Sequence, residues 1–308
     1  MTTNAIQSSH IYSTYFAPRG RSRIYTLGMQ IAQLYLSPFD QIIGFIGEAG
    51  SGKSVLIKGM FPGIELTNDD DGVNVRPLPL LEQEYETGFF TPHTYHLDIR
   101  FETGFHQLSE LADAVRLAVR RGKRIIIEHF DLIYPLLGVN ANLLIGVGEQ
   151  IVITRPNLFG PLPQDLCEIV YPSLAYRLMA HSAEDLCEYA MTQEQMLACS
   201  HGDIRHGFVL EFNEHQPDID IPALEARVNE LIRADLPIDY YDESHILLGG
   251  VQHYCTGPRT HVRSTGRIIG FRLLDHFIYD HFHKTYMLVG CVGDDSEENI
   301  RKLEKIHG

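Results

Sequence analysis

The sequence predicts an α/β domain built on a parallel sheet, followed by an α+β domain. Three observations carry that reading. The first half holds short, wholly apolar runs of buried-strand type with a helical period between them, prolines cluster near the middle, and the second half mixes amphipathic helical stretches with strand-type runs.

Residues 41–46 (Gln-Ile-Ile-Gly-Phe-Ile) form the first such run, and it ends at once in a glycine-rich turn. Leu108, Leu111, Ala112, Val115, Ala118 and Val119 then recur at helical spacing, and Arg120-Arg121-Gly122-Lys123 supplies a cationic last turn and a glycine stop. Ile125-Ile126-Ile127 reads as a second buried strand and Gln150–Thr154 as another, stopped by Pro156. Strand, helix and strand at this spacing predict parallel pairing. Pro156, Gly160, Pro161, Pro163 and Pro172 mark the domain boundary, giving a nucleotide-binding domain over 1–165 and a second domain over 173–292. In that second domain a helix is expected from about Ser173 to Met196, a strand at 207–212, and an amphipathic helix holding Leu224, Val228, Leu231 and Ile232. Further strands are expected at 246–254, 267–274 and 285–292, and the charged tail 293–308 reads as a solvated helix.

Composition narrows the function classes. With 44% hydrophobic and 21% charged residues over 308 positions the chain has enough apolar content to fold, which excludes wholesale disorder. No window approaches the roughly 18–20 apolar residues of a membrane span, and the first twenty residues lack the layout of a secretory signal, so a cytoplasmic protein without a membrane partner is expected. Five cysteines without CxxC spacing argue against a disulfide framework. Residues 1–160 carry 13 Lys+Arg against 16 Asp+Glu, net −3, leaving 12 against 24, net −12, for 161–308. A broad polyanion-binding face would show the opposite sign.

The strongest local signal is Gly47-Glu48-Ala49-Gly50-Ser51-Gly52-Lys53-Ser54, a full G-x-x-x-x-G-K-[ST] between a strand and the apolar start of a helix. Residues without Cβ let backbone N–H groups wrap a di- or triphosphate; Lys53 then reaches the β and γ phosphates and the Ser54 hydroxyl meets Mg²⁺. Gly47, Gly50, Ser51, Gly52, Lys53 and Ser54 are therefore the expected ATP-binding residues. Glu128, closing the apolar strand 125–127, is the first choice for orienting Mg²⁺, with Asp131 second. Arg76, Arg100, Arg120, Arg121, Arg124 and Arg155 are unranked candidates for phosphate contact.

This segment resembles P-loop NTPases, and among them small-molecule kinases of the uridine kinase type. That resemblance implies a catalytic or metal-holding role for the acidic stretch Asn68-Asp69-Asp70-Asp71, with Asp69 and Asp70 joining Lys53 and Glu128 as expected catalytic residues.

The second half carries another resemblance. Residues 220–238 (DIPALEARVNELIRADLPI) and 255–271 (CTGPRTHVRSTGRIIGF) look like two ordered motifs of alanyl-tRNA synthetases, a helix followed by a strand and a C-G-G-T-H-V-x-x-T-G-x-I signature. The region is thus similar to the second additional domain of alanyl- and threonyl-tRNA synthetases and of free-standing editing proteins. The resemblance implies Zn²⁺ on His181, Asp185, Cys255 and His261, with Asp185 standing where the family has a second His, two extra residues between Cys255 and His261, and His253 as a competing ligand. It also implies a small amino acid or aminoacyl group as ligand, with Thr260, Thr265 and Gly266 in the matching strip.

Three functions follow as expectations. The leading one is an ATP-dependent kinase, phosphotransferase or NTPase whose C-terminal domain recognises a small amino-acid-like ligand. The alternative is a zinc-dependent aminoacyl-tRNA editing hydrolase regulated by nucleotide, although the −12 charge does not favour tRNA. A third is a nucleotide-dependent sensor.

Overall fold

The computed structural model describes residues 12–64, 66, 93–213 and 215–307. In chain order the elements are β1 (Ser13–Phe16), α1 (Arg21–Tyr35), β2 (Ile42–Ile46), α2 (Lys53–Met60), β3 (Thr94–Asp98), α3 (Ile99–Glu102), α4 (Leu108–Arg120), β4 (Arg124–Glu128), α5 (Phe130–Leu137), β5 (Leu143–Val147) and β6 (Gln150–Thr154). They continue with α6 (Pro163–Ala190), α7 (Gln193–Ala198), β7 (Cys199–Ile204), β8 (Gly207–Asn213), α8 (Ile221–Arg233), β9 (Ile238–Asp242), β10 (His245–Leu248), β11 (Val251–Tyr254), β12 (Arg272–Leu273), β13 (Ile278–Asp280), β14 (Thr285–Cys291) and α9 (Ser296–His307). The chain is mixed α/β and divides into two compact units: residues 1–15 with 22–171, and residues 16–21 with 172–308. The division falls inside α6, and the second unit takes in a six-residue piece from near the N-terminus. Among the described residues no helix is long and apolar enough to cross a membrane.

In the first unit a mixed sheet runs in the order β1-β6-β5-β2-β4-β3. β2 pairs parallel with both β4 and β5, and β3 pairs parallel with β4. β2 and β5 are buried along their whole length, which is why they read as unbroken apolar runs instead of alternating ones. Gly44 sits in the middle of β2 because a Cβ there would meet the Phe130 ring at 2.7 Å. α4 buries Leu111, Ala112, Ala114, Val115 and Ala118, starts with a capping box between Gln107 and Glu110, and stops before Gly122, whose φ of +77° suits glycine.

The expected parallel pairing of Gln150–Thr154 is corrected: β6 runs antiparallel to β5. Only Gly148 and Glu149 separate the two strands, and a parallel return needs a crossover of a dozen or more residues. The helix expected from about Ser173 instead begins at Pro163, where a missing N–H costs nothing, and Pro172 lies within it. It stops at Ala190, and Thr192 caps the separate α7 by accepting from the Gln195 N–H.

Among the described residues the second unit has two antiparallel sheets. β12-β14-β8-β7, with β13 added against β14, forms one, and β11-β10-β9 the other. The run 246–254 is two strands, because Gly249 and Gly250 at φ +57° and +85° make a hairpin turn. Of 267–274 only Arg272–Leu273 forms a strand, with the Leu274 N–H also reaching the Val289 carbonyl, and Arg267 ends a short 3-10 turn from Thr265. A core of α6, β8, α8 and β14 side chains, including Leu186, Phe208, Leu210, Val228 and Leu288, underlies both sheets.

Candidate functional site

In the first unit the chain leaves β2 at Ile46 and turns sharply into α2. Gly47 has φ +155°, and a Cβ there would meet the Val147 carbonyl oxygen at 2.5 Å, so only glycine lets the loop pass β5 this closely. Gly50 and Gly52 also take positive φ, and Ser51 is fully buried. Lys53 opens α2 with its side chain folded back over the loop, and Nζ donates to the carbonyl oxygens of Gly47 and Glu48, both at 2.9 Å. Burial lowers the Lys53 pKa, and the Glu128 carboxylate 3.8 Å away pulls it back up.

β4 runs beside β2 and ends at Glu128, which is 2% exposed. The Ser54 hydroxyl donates to Glu128 Oε1 at 3.2 Å, and His96 Nε2 lies 3.1 Å from the same oxygen. Burial works to raise the Glu128 pKa, but His96 and Lys53 together hold it below the ordinary value, so the group is a carboxylate. Lys53, Ser54 and Glu128 thus lie together where β2 gives way to α2 beside the end of β4. Asp69 and Asp70 lie outside the described residues.

Further groups converge here that sequence reading did not single out. β3, next to β4, delivers His96 and Asp98, and ligand atoms of Asp98, Glu128 and His129 all lie within 4.8 Å of one another. Burial and the neighbouring Glu128 raise the Asp98 pKa. Asp98 also caps α3, accepting from the Phe101 N–H, a pattern visible in Asp98-Ile99-Arg100-Phe101. His129 takes φ +56°, uncommon for a residue with a Cβ, and its Nδ1 is buried without a hydrogen-bond partner. Burial, reinforced by Lys53, pushes its pKa down to about 4, so the ring is neutral. Arg100, one of the six unranked arginines, makes a two-pronged pair with Glu48 of the loop at 2.9 and 3.3 Å. Asp131, the second choice after Glu128, instead accepts from the Tyr171 hydroxyl at 3.2 Å.

The second unit has its own cluster, all of it on residues named from sequence. His181 and Asp185 stand one turn apart on α6; Cys255 and His261 follow β11, and the four ligand atoms lie within 4.8 Å of one another. His181 Nδ1 donates to the Thr260 carbonyl at 2.9 Å and His261 Nδ1 to the Pro258 carbonyl at 3.2 Å. A carbonyl only accepts, so both Nδ1 atoms carry hydrogen and both Nε2 atoms face inward. Cys255 Sγ is 3.4 Å from His181 Nε2 and 3.7 Å from His261 Nε2. A tetrahedral zinc ion with ordinary bond lengths has sulfur–nitrogen edges of about 3.5 Å. Asp185 completes the set, with Oδ2 2.8 Å from His261 Nε2 and Oδ1 3.8 Å from His181 Nε2. Outer contacts fix the ligands as metal sites require: besides the two carbonyls, the Gly257 N–H points at Cys255 Sγ at 3.2 Å. Burial opposes ionisation of Asp185, yet His181 and His261 hold its pKa well below the usual range, while burial and Asp185 push the Cys255 thiol up. The donor set, its tautomers and its spacing fit zinc.

His253 does not join this set; it lies with Asp185 and Glu188. Thr265 is fully buried and donates to the Leu231 carbonyl at 2.7 Å, and the Gly266 N–H meets Asp235 at 3.1 Å, so both support α8 and the turn after it. The chain matches no protein-family model, and a search of curated proteins returned no match.

Proposed function

We propose that the first unit is an ATP-dependent phosphotransferase of the P-loop small-molecule kinase type. The observation that carries this reading is the convergence of Lys53, Ser54, Glu128 and Asp98 at the mouth of the glycine-rich turn. Backbone N–H groups of residues 47–54 hold the β and γ phosphates, and Lys53 exchanges the Gly47 and Glu48 carbonyls for phosphate oxygens. Mg²⁺ entering with the nucleotide would neutralise charge on the phosphates, with Ser54 and Glu128 as the residues to hold it. Asp98, whose raised pKa suits a base, accepts the proton of the acceptor hydroxyl as that oxygen bonds to the γ phosphorus and the bond to the ADP oxygen breaks. Arg100 is positioned to leave Glu48 for the transferred group.

An ATP-consumption screen over nucleosides and amino acids, with mass spectrometry of the product, tests this. A phosphorylated acceptor that disappears in Lys53→Met supports the reading. Nucleotide affinity unchanged in Lys53→Met overturns it.

A second reading concerns the second unit and rests on the four converging ligands. We infer that this unit holds zinc and recognises a small amino acid or aminoacyl group, as the editing-domain resemblance implies. When bound, the ion would supply a Lewis acid for an ester carbonyl or a water. The chain's own part is to present two Nε2 lone pairs, a thiolate and a carboxylate from pre-oriented side chains. Release of serine or alanine from Ser-tRNA or Ala-tRNA without ATP, lost in Cys255→Ala, supports hydrolysis.

A further inference from the structure

Beside the four-ligand cluster α6 presents Glu188, one turn on from Asp185 on the same face. Glu188 is 6% exposed and its two oxygens have different surroundings. Oε1 is held by His201 Nε2 at 3.1 Å, and Oε2 points towards His253 Nε2 at 4.0 Å. That gap is too long for a hydrogen bond. It is short enough to be spanned by one ion taking ligands at about 2.0–2.2 Å.

His253 is itself unusual. β11 has one buried position among four, and a histidine fills it. The ring is 7% exposed and its Nε2 is buried without a hydrogen-bond partner. Such a nitrogen in an enclosed place ordinarily finds a partner. Ligand atoms of Asp185, Glu188 and His253 lie within 4.8 Å of one another, so the orphaned nitrogen faces two carboxylates.

We propose that Asp185, Glu188 and His253 form a second divalent-cation site, joined to the first through the Asp185 carboxylate. An imidazole inward-facing nitrogen has one lone pair and serves one ion; a carboxylate has two oxygens and can serve two. Two carboxylate oxygens and one imidazole suit zinc and other first-row divalent ions that accept mixed oxygen and nitrogen donors. Because Asp185 is shared, the inference rests on the first site being a metal site. A pair of ions on one carboxylate is an arrangement that hydrolytic centres use to hold attacking and leaving oxygens, which gives the second site a place in the ester-cleaving reading.

The test is a metal titration of the full chain, stripped with chelator and loaded with Zn²⁺ or Co²⁺. Tightly held metal is counted by mass spectrometry after gel filtration, and Co²⁺ binding is followed by absorption. Wild type should hold two ions per chain, and His253→Asn and Glu188→Gln one each, with the cobalt–thiolate absorption band from Cys255 intact. Cys255→Ser should lose that band, and failure of this arm would sink the first site, not the second alone. Saturation of wild type at one ion, or a second ion retained in both His253→Asn and Glu188→Gln, overturns the proposal. If His253→Asn does not fold, Glu188→Gln reads the same loss, since its amide preserves shape and removes the charged ligand.

Discussion

Loading zinc onto the stripped second unit should expel protons in a number set by the hydrogen bonds already in place. His261 donates from Nδ1 to the Pro258 carbonyl, so its Nε2 is the nitrogen that faces Asp185 Oδ2 and the ion. Cys255 is a thiol, because burial and Asp185 oppose its ionisation. Asp185 is already a carboxylate and His181 Nε2 already bears a lone pair, so neither has a proton to give. The first zinc equivalent at pH 7 should therefore release about one proton, from the Cys255 sulfur. Cys255→Ser should lower that to near zero, since a serine hydroxyl keeps its hydrogen far more readily. Calorimetric titration in buffers of different ionisation enthalpy reads the number directly, as the slope of observed heat against buffer heat. A slope near zero for wild type, or one that Cys255→Ser leaves unchanged, would refute this assignment of ligands.

Four further outcomes follow. Lys53→Met removes a charge-assisted contact of about 1.5–3 kcal/mol, so ATP affinity measured by calorimetry should fall roughly 10- to 150-fold. Gly47→Ala forces a Cβ to 2.5 Å from the Val147 carbonyl oxygen at a φ that side chains avoid; denaturant unfolding should show a loss of roughly 1–3 kcal/mol together with weakened nucleotide binding. Burial, and then Asp98, raises Glu102 to about 7 from an ordinary 4.5. The folded chain then binds more protons than the unfolded one between those values, so this group costs stability as pH climbs through that window. Glu102→Gln should accordingly melt higher than wild type at pH 8 and alongside it near pH 4.5. Arg19→Met leaves Glu184 buried with its main cationic partner gone, and a loss of about 3–5 kcal/mol in unfolding free energy is expected.

What the sequence made readable was contiguous. The turn 47–54 lies within eight residues, and Glu128 closes an apolar run, so each carries its meaning locally. His96 and Asp98 escaped notice because their value depends on β3 lying beside β4, and strand order is set by packing across the sheet and not by any nearby residue. β5 was missed for a related reason: Leu143–Val147 and Gln150–Thr154 form a tight hairpin, and reading only its second arm made an antiparallel strand look parallel. The ligands His181, Asp185, Cys255 and His261 span some eighty positions, and no periodicity joins them; only the motif resemblance named them together. Arg19 left no trace at all, since it meets Glu184 across a separation of 165 residues.

That last contact sets an order of events during synthesis. Arg19 donates to the carbonyls of Gly202 and Gly207 and pairs with Glu184 and Asp203, all made long after it emerges from the ribosome. The Arg19 side chain of the strap 16–21 must therefore wait for these partners while the whole first unit is translated. A fragment starting at Pro172 would lack the cation that its interior demands. The carboxy-terminal half is in this sense a discontinuous object, and dissecting the chain into autonomous pieces requires supplying the strap in trans or splicing it onto the new terminus.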